Sequence, residues 1–362
     1  MKVINVTNLE DGVLNLERTD RHISVSEFKR MYQHFAVDAA DIVMASSGNS
    51  YSKIAVVREQ DLPLVMNTSV IRFKPTKGFE HRFLWALLNS ALFKNQIDLM
   101  ITGGAQPNFG PYHLKRVNVP VPPLPEQRAI AGALSDVGEL IGALDQLIAK
   151  KRDLKQAVMQ QLLTGRTRLP GFSGKWEVKR FADEAFPRRD RVDPRSTGVH
   201  EFCIELEHIE SASGVLLGST STGDQSSLKS VFRTGDVLFG KLRAYLRKYW
   251  LATCSGVCST EIWVFVPNDR LITTDYLFQL VKTDLFIEAA SNAYGTHMPR
   301  SDWSVVKNYE LQLPPLSEQT AIAAVLSDMD AELAILEQRR DKTNALKQGM
   351  MQELLTGRTR LI

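Results

Sequence analysis

The octapeptide LLTGRTRL stands twice in this chain, at residues 162–169 and again at 354–361. The match runs far beyond those eight residues. Shifted by 192 positions without a gap, 122–169 lies over 314–361 with roughly 27 of the 48 positions identical, which marks an internal repeat. PPLPEQRAIAGALSD and PPLSEQTAIAAVLSD open the two copies, and KQAVMQQLLTGRTRL and KQGMMQELLTGRTRL close them. Shared helix composition accounts for scattered Ala and Leu matches. It does not account for Pro-Pro-Leu at one end and Thr-Gly-Arg-Thr-Arg at the other.

Each copy reads as one long helix with a stop at its end. Glu126 and Glu318 put carboxylates at a helix N-terminus, where the macrodipole favours them, and Gly165 and Gly357 stand where a left-handed C-cap residue is expected. Between the caps the apolar positions step by four and three: Ile130, Leu134, Val137, Ile141, Leu144, Ile148, then Val158 and Leu162. The second copy repeats the steps with Ile322, Leu326, Met329, Leu333, Leu336, then Met350 and Leu354. That is a coiled-coil seam rather than a broad amphipathic face. Lys151 and Lys155 interrupt it in the first copy and Arg340, Thr343 and Lys347 in the second, so the pairing is expected to be polar there. Two equal seams in one chain most simply satisfy each other, and antiparallel packing gives an approximate two-fold axis. The alternative is that each helix packs only on its own domain.

A strand-rich segment precedes each helix, and the two segments are distantly related. Asp41-Ile42-Val43 answers Asp236-Val237-Leu238, Thr68-Ser69-Val70 answers Thr260-Glu261-Ile262, and Gly103 with Pro107 answers Gly295 with Pro299. Runs such as 259–266 and 69–73 read as strands, while 83–96 and 276–289 have helical periodicity. Each unit is therefore a mixed α/β domain followed by a long helix, with 165–176 as the linker into the second. The helices diverge little and the globular parts much, as expected of a fixed frame carrying two different readers.

The loops suggest what is read. Residues 241–248, KLRAYLRK, place four cations beside aromatics just after a strand, and the equivalent 46–53, SSGNSYSK, is small and polar with Asn49, Tyr51 and Lys53. A second loop pair supplies Gln106 and Asn108 in one unit and His297 and Arg300 in the other. Cations suit phosphates, and Asn, Gln and Arg make bidentate contacts with base edges. The alternative for the charged run is a solvated face.

Two α/β units, each closing with PPLxEQ, a heptad helix and LLTGRTRL, resemble the specificity subunit of type I restriction-modification systems, and KLRAYLRK with DVLFGKL is similar to motifs of its target recognition domains. The resemblance implies an α+β protein. Its parts are a first target recognition domain at 1–121, a spacer helix at 122–169, a second domain at 170–313 and a second spacer helix at 314–362, with the helices antiparallel and pseudo-two-fold. It implies a double-stranded DNA partner read as a bipartite site, two methyltransferase subunits docked on the helices, and restriction subunits bound through them. Lys241, Arg243, Tyr245, Arg247, Lys248, His297 and Arg300 are then expected on the DNA face of the second domain, and Asn49, Tyr51, Lys53, Gln106 and Asn108 on that of the first.

Two departures stand out. A proline common in the family's loop is replaced by Ala244, so a less rigid loop is expected. The second unit opens with GFSGKW at 171–176 and about thirty residues before Glu201, whereas Met1 is already level with that point, since Ile4 matches Ile204. The first domain is thus expected to lack its opening segment, either because the chain is shortened or because the part comes from elsewhere.

Enzyme chemistry finds little support. The sequence has no Walker phosphate loop, no Rossmann fingerprint after a first strand and no Asn-Pro-Pro-aromatic tetrapeptide of an amino-methyltransferase. Asp236 and Glu261 read as turn and strand caps rather than a nuclease cluster. Cys203, Cys254 and Cys258 lack a second ligand pair at zinc spacing and read as small buried thiols, so neither metal nor cofactor is expected. With no apolar run near the ~18 residues of a membrane span and no signal-peptide core in 1–12, a cytoplasmic, membrane-free location is expected. A net charge of +3 means that any nucleic acid is held by a local patch. The competing class is a two-fold scaffold that binds only protein, which a salt titration of DNA binding separates.

Overall fold

The computed structural model describes residues 1–10, 12–101, 108–223, 225, 227–291 and 299–361. The chain forms two compact units, Met1–Gln146 with Glu337–Ile362, and Leu147–Leu336. The lines differ from the four-part division expected from the repeat, because each unit takes half of both long helices.

In the first unit, β1 (Lys2–Ile4) runs parallel to a later strand, β2 (Leu9–Glu10) and β3 (Val13–Leu14) form a hairpin, and a single helical turn, α1 (Val25–Glu27), leads to β4 (Ala36–Val37). The strands β5 (Ile42–Ala45), β6 (Ile54–Val56), β7 (Leu64–Met66) and β8 (Val70–Phe73) follow, forming sheets of order β1-β7-β4 and β6-β5-β8. The run Ile42-Val43-Met44-Ala45 is apolar at every position because β5 is covered on both faces. Val43 and Ala45 face a core with Ile4, Leu9 and Leu64, and Ile42 and Met44 face one with Phe93, Ile97 and Phe109.

The helical stretch expected at 83–96 is two helices, α2 (His81–Leu88) and α3 (Ala91–Met100). Ser90 breaks it: its hydroxyl donates to the Leu87 carbonyl at 2.6 Å and accepts the Phe93 amide at 3.3 Å, ending one helix and capping the next. A turn, α4 (Pro111–Leu114), precedes the long helix α5 (Leu124–Leu162). Phe83 and Leu87 of α2 pack on Ile130, Ala131 and Leu134 of α5 and on Leu354 and Leu355. The start of α5 therefore runs against the end of the second long helix, antiparallel.

The second unit opens with β9 (Glu177–Arg180), α6 (Phe181–Glu184), β10 (Ala185–Pro187), β11 (Arg191–Val192) and α7 (Pro194–Thr197). Then come β12 (Cys203–Ile204), β13 (Lys229–Phe232), β14 (Val237–Gly240), β15 (Tyr249–Leu251), β16 (Gly256–Ser259) and β17 (Ile262–Pro267). The sheets have orders β10-β17-β14-β15 and β11-β13-β16-β12. The strand expected at 259–266 is two, because the Ser259 hydroxyl accepts the Glu261 amide at 3.3 Å in a local turn that carries the chain from one sheet to the other. The helical stretch at 276–289 likewise divides into α8 (Thr274–Val281) and α9 (Asp284–Ser291), with Thr283 repeating the bonds of Ser90. A turn, α10 (Trp303–Val306), and β18 (Glu310–Leu313), which pairs with β9, lead into α11 (Leu316–Leu355).

The two units share their register as well as their order. Ile42 pairs with Phe73 and Ala45 with Val70, as Val237 pairs with Phe265 and Gly240 with Ile262. Ile4 and Ile204 each lie in a parallel strand pair, opposite Met66 and Cys258.

The long helices use the residues of the expected seam. Ile130, Leu134, Leu144 and Ile148 are buried and Val137 and Ile141 half-buried on α5, as are Ile322 and Leu326, and Met329, Leu333 and Leu336, on α11. In the second unit Met159, Leu162 and Leu163 pack on Ile322, Ala323 and Leu326. The polar interruptions carry ion pairs: Lys151 with Glu332 at 2.7 Å and Lys155 with Asp330 in the second unit, Arg340 with Asp145 at 3.7 Å in the first.

The doubled termini are clasps. In the second unit Arg168, from TGRTR, holds the fully buried Glu318 of PPLSEQ with two nitrogens at 2.5 Å, and in the first Arg360 holds Glu126 in the same way. The neighbouring glutamines fix each helix to its own domain: Gln127 bonds Glu80, Gly78 and Pro122, and Gln319 bonds Thr273, Leu271 and Pro314. Gly165 and Gly357 have φ of +68° and +73°, the left-handed stop that glycine allows. Among the described residues no helix is long and apolar enough to cross a membrane.

Candidate nucleic-acid interface

After each central strand the chain turns through a loop with left-handed residues at the same two places. In the second unit Arg243 and Arg247 take left-handed φ of 54° and 53°; in the first Gly48 and Ser52 take 71° and 68°. The Leu246 amide donates to the Arg243 carbonyl at 2.8 Å and the Tyr51 amide to the Gly48 carbonyl at 3.0 Å, and both loops close by a hydrogen bond of 2.8 Å, from the Gly240 amide to the Lys248 carbonyl and from the Ala45 amide to the Lys53 carbonyl. The buried Ala244 sits in the closed turn, where the family's loop commonly has a proline.

The second candidate loop meets the first in the same way in both units. Ser47 bridges Asn108, and Leu242 bridges Arg300. Gln106 and His297 lie outside the described residues, as does the side chain of Asn49. Tyr245, Arg300, Lys53 and Asn108 are exposed.

Several of the expected side chains are held by the protein itself. The Lys248 ammonium donates to the carbonyls of Leu206 at 2.7 Å and Ile209 at 2.8 Å, which fixes it to the neighbouring turn rather than freeing it for a phosphate. Arg247 pairs with Asp284, and Tyr51 donates to Asp98 while packing edge-on against Phe109. Burial and the Asp98 carboxylate push the Tyr51 hydroxyl's pKa up, so it remains a neutral donor.

Lys241 sits at the junction of the loops, its backbone bonded to Glu261 and Ser301. Burial, more than the nearby Arg191 and Arg300, lowers its pKa, while Glu261 opposes the shift. It lines a groove of about 940 Å³ with Arg188, Arg189, Arg191, Trp263 and Trp303. Arg188 is fixed on Asp236 at 2.8 and 2.9 Å, so Asp236 neutralises a largely buried guanidinium. Arg300 reaches Glu261 at 3.0 Å with most of its side chain in solvent. Exposed Arg189 and Arg191 thus join Lys241 and Arg300 on one basic face with indole rings between them. The run Arg188-Arg189-Asp190-Arg191 was the sequence signal for this addition, obscured because it lies about fifty residues before the loop.

The sequence profile of the type I restriction modification DNA specificity domain matches residues 2–150 and 229–345. The chain belongs to that family. Among curated relatives, the EcoDI specificity subunit of Escherichia coli is 29% identical over 213 residues, covering 57% of this chain and 45% of that protein. The MjaVIII specificity subunit of Methanocaldococcus jannaschii is 22% identical over 90% of this chain and 80% of its own. The fold is that of the solved HsdS subunit of Thermoanaerobacter tengcongensis, with a TM-score of 0.52 at 18% identity over 98% of this chain and 90% of that one. A chain from a structure on assembly and conformational transition of the type I R-M system gives 0.61 at 18% identity, covering 98% and 91%. The two mixed domains and paired helices expected of a specificity subunit are therefore this chain's architecture.

Of the cysteines, Cys203 and Cys258 are fully buried on adjacent strands, where desolvation raises both thiols, Cys203 to about 11. Among the described residues no group of three or more His, Cys, Asp or Glu is placed to hold a metal ion.

Proposed function

We propose that this chain is the sequence-reading subunit of a type I restriction-modification complex, binding double-stranded DNA as two half-sites. One observation carries the reading. A loop with left-handed residues at the same two places, joined by a matching bridge to a second loop, presents Gly48, Tyr51, Lys53 and Asn108 in one unit and Arg243, Tyr245 and Arg300 in the other. The same frame with different side chains is what reading two different half-sites requires. In the second unit Arg189, Arg191 and Arg243 neutralise phosphates and Arg300 and Tyr245 reach base edges.

The chain supplies no chemistry of its own. Methyl transfer and cleavage belong to methyltransferase subunits that dock on the two long helices and to restriction subunits bound through them, in the cytoplasm. The related surfaces of 122–169 and 314–361, with roughly 27 of 48 positions identical, suit two copies of one methyltransferase.

Methylome sequencing of cells expressing the chain with its methyltransferase should show one bipartite motif. Methyl transfer by the purified chain alone would overturn the reading. In vitro, Arg189→Ala with Arg191→Ala should reduce the slope of log affinity against log salt by about two, one per phosphate contact. An unchanged slope would make the basic groove a solvated face.

A further inference from the structure

The junction of the two candidate loops is built alike in both units, down to its hydrogen bonds. In the second, the Lys241 amide donates to the Glu261 carbonyl at 2.9 Å and the Ser301 amide to the Lys241 carbonyl at 2.8 Å. In the first, the Ser46 amide donates to the Ser69 carbonyl at 2.9 Å and the Phe109 amide to the Ser46 carbonyl at 3.0 Å. With the Leu242–Arg300 and Ser47–Asn108 bridges, these bonds put Glu261, Lys241 and Arg300 at the places of Ser69, Ser46 and Asn108. The first unit closes the same junction with three uncharged side chains. The charges of the second are therefore not needed to build it, and a pair as exposed as this one adds little to stability.

What the charges make is a guanidinium held on one side and open on the other. Arg300 Nε lies 3.0 Å from Glu261 Oε2, with 61% of the arginine side chain exposed against 24% of the glutamate's. Among the described residues no second ion pair or hydrogen bond holds the guanidinium. Its N–H is not aligned with the oxygen, and Oε2, sealed from solvent, takes no hydrogen bond; the Ser301 hydroxyl alongside is buried and unbonded as well. A buried carboxylate oxygen without a donor is costly, so Glu261 draws the guanidinium onto itself by the Nε side. Contact through Nε leaves the two terminal amino groups facing outward as a pair.

A phosphate is a poor partner for that fork, because the carboxylate behind it offsets the arginine's charge and repels an anion. A neutral base edge meets no such repulsion. Two donors side by side need two acceptors side by side, and in the major groove guanine presents them, O6 and N7. Adenine sets a donor amino group beside N7, thymine has one acceptor and a methyl group, and cytosine offers a donor.

We propose that Arg300 is the guanine reader of the second unit and that Glu261 is the positioning residue that holds its fork in reading geometry. The inference rests on the half-site reading given above and adds a base to it: the half-site of the second unit contains a guanine whose O6 and N7 take the two terminal nitrogens of Arg300. Glu261 touches no base. The first unit, with Asn108 at that place and Ser69 behind it, has no such reader.

The test compares methylomes of cells carrying the full chain and its methyltransferase, for the parent, Arg300→Lys and Glu261→Ser. The parent should give a bipartite motif with a guanine fixed in one half. Arg300→Lys keeps the charge and loses the fork, so that one G·C position should become degenerate while the rest of the motif stands. Glu261→Ser, which installs the first unit's residue, should blur the same position. Purified complexes give a second readout on DNA carrying 7-deazaguanine, which lacks the N7 acceptor, at each guanine of that half in turn. At one of them the parent should lose roughly tenfold in affinity, the discrimination of a bidentate pair; Glu261→Ser should lose less, and Arg300→Lys almost nothing. A guanine that stays fixed in Arg300→Lys would make Arg300 a phosphate contact and overturn the assignment. So would a parent indifferent to 7-deazaguanine throughout, a result that depends on no variant folding. An undiminished 7-deazaguanine loss in Glu261→Ser would overturn the positioning role. A parent with no motif at all would remove the half-site reading itself, and this assignment with it.

Discussion

Lys282 is the buried charge whose effect on stability can be worked out most fully. Its ammonium lies 3.0 Å from Asp330 and 3.9 Å from the centre of the Phe278 ring, with Lys155 also on Asp330 and 4% of the side chain exposed. Burial outweighs the pull of Asp330 and lowers its pKa from 10.5 to about 8. At about 1.4 kcal/mol per unit, holding the proton in the folded state costs roughly 3 kcal/mol at pH 7. Between the folded and unfolded values the unfolded chain binds the extra proton, so stability rises with pH across that window. Replacing Lys282 by Met removes the proton from both states. Urea unfolding at pH 7 should find Lys282→Met more stable than the parent, and the gap should close by about 2 kcal/mol on going to pH 9.5. Buried Tyr249, Tyr276 and Cys203 titrate alike in both proteins and cancel. A gap that stays constant with pH would refute the account of Lys282, and a variant less stable than the parent at pH 7 would show that Asp330 governs instead.

Gly165→Ala and Gly357→Ala should each lose about 1 kcal/mol to the left-handed backbone, but Gly165→Ala must also displace the Trp176 ring, which lies 3.2 Å from where that Cβ would stand and stacks on Arg168; equal losses in thermal unfolding would mean that the ring yields freely. Arg168→Ala strands the buried Glu318 and should cost about 3 kcal/mol, over half of it restored by adding Glu318→Gln; no restoration in the double variant would assign the loss to packing against Trp176.

Much of this architecture was legible in the sequence because it is written in local periodicity. The 3.6-residue and heptad spacings located both long helices, and the glycines marked their ends. The loop pairs were found because the repeat placed Ser46–Lys53 opposite Lys241–Lys248. The breaks at Ser90 and Thr283 escaped, since a single hydroxyl that turns back on a carbonyl leaves the apolar pattern intact on either side. The roles of Lys248 and Arg247 escaped for another reason. A cation beside an aromatic has the same letters whether it faces a phosphate or its own fold's carbonyls, and only the position of Leu206 or Asp284, some forty residues away, decides. Glu126 and Glu318 were placed correctly at helix starts, yet their partners lie 234 and 150 residues away in sequence, beyond any pattern of spacing.

The sharing of helices between units has a consequence for synthesis on the ribosome. Leu147–Leu336 is one continuous stretch, so the second unit can close as soon as it emerges. The first cannot: Phe83, Leu87 and Ile130 find Leu354 and Leu355 only after the whole second unit has been made. Until then the start of α5 is without its mate, although the strand clusters of the first unit need nothing beyond Val117, so the first unit is completed after the second. A stalled nascent chain ending before Glu337 should therefore hold a protease-resistant second unit behind a first that is still open.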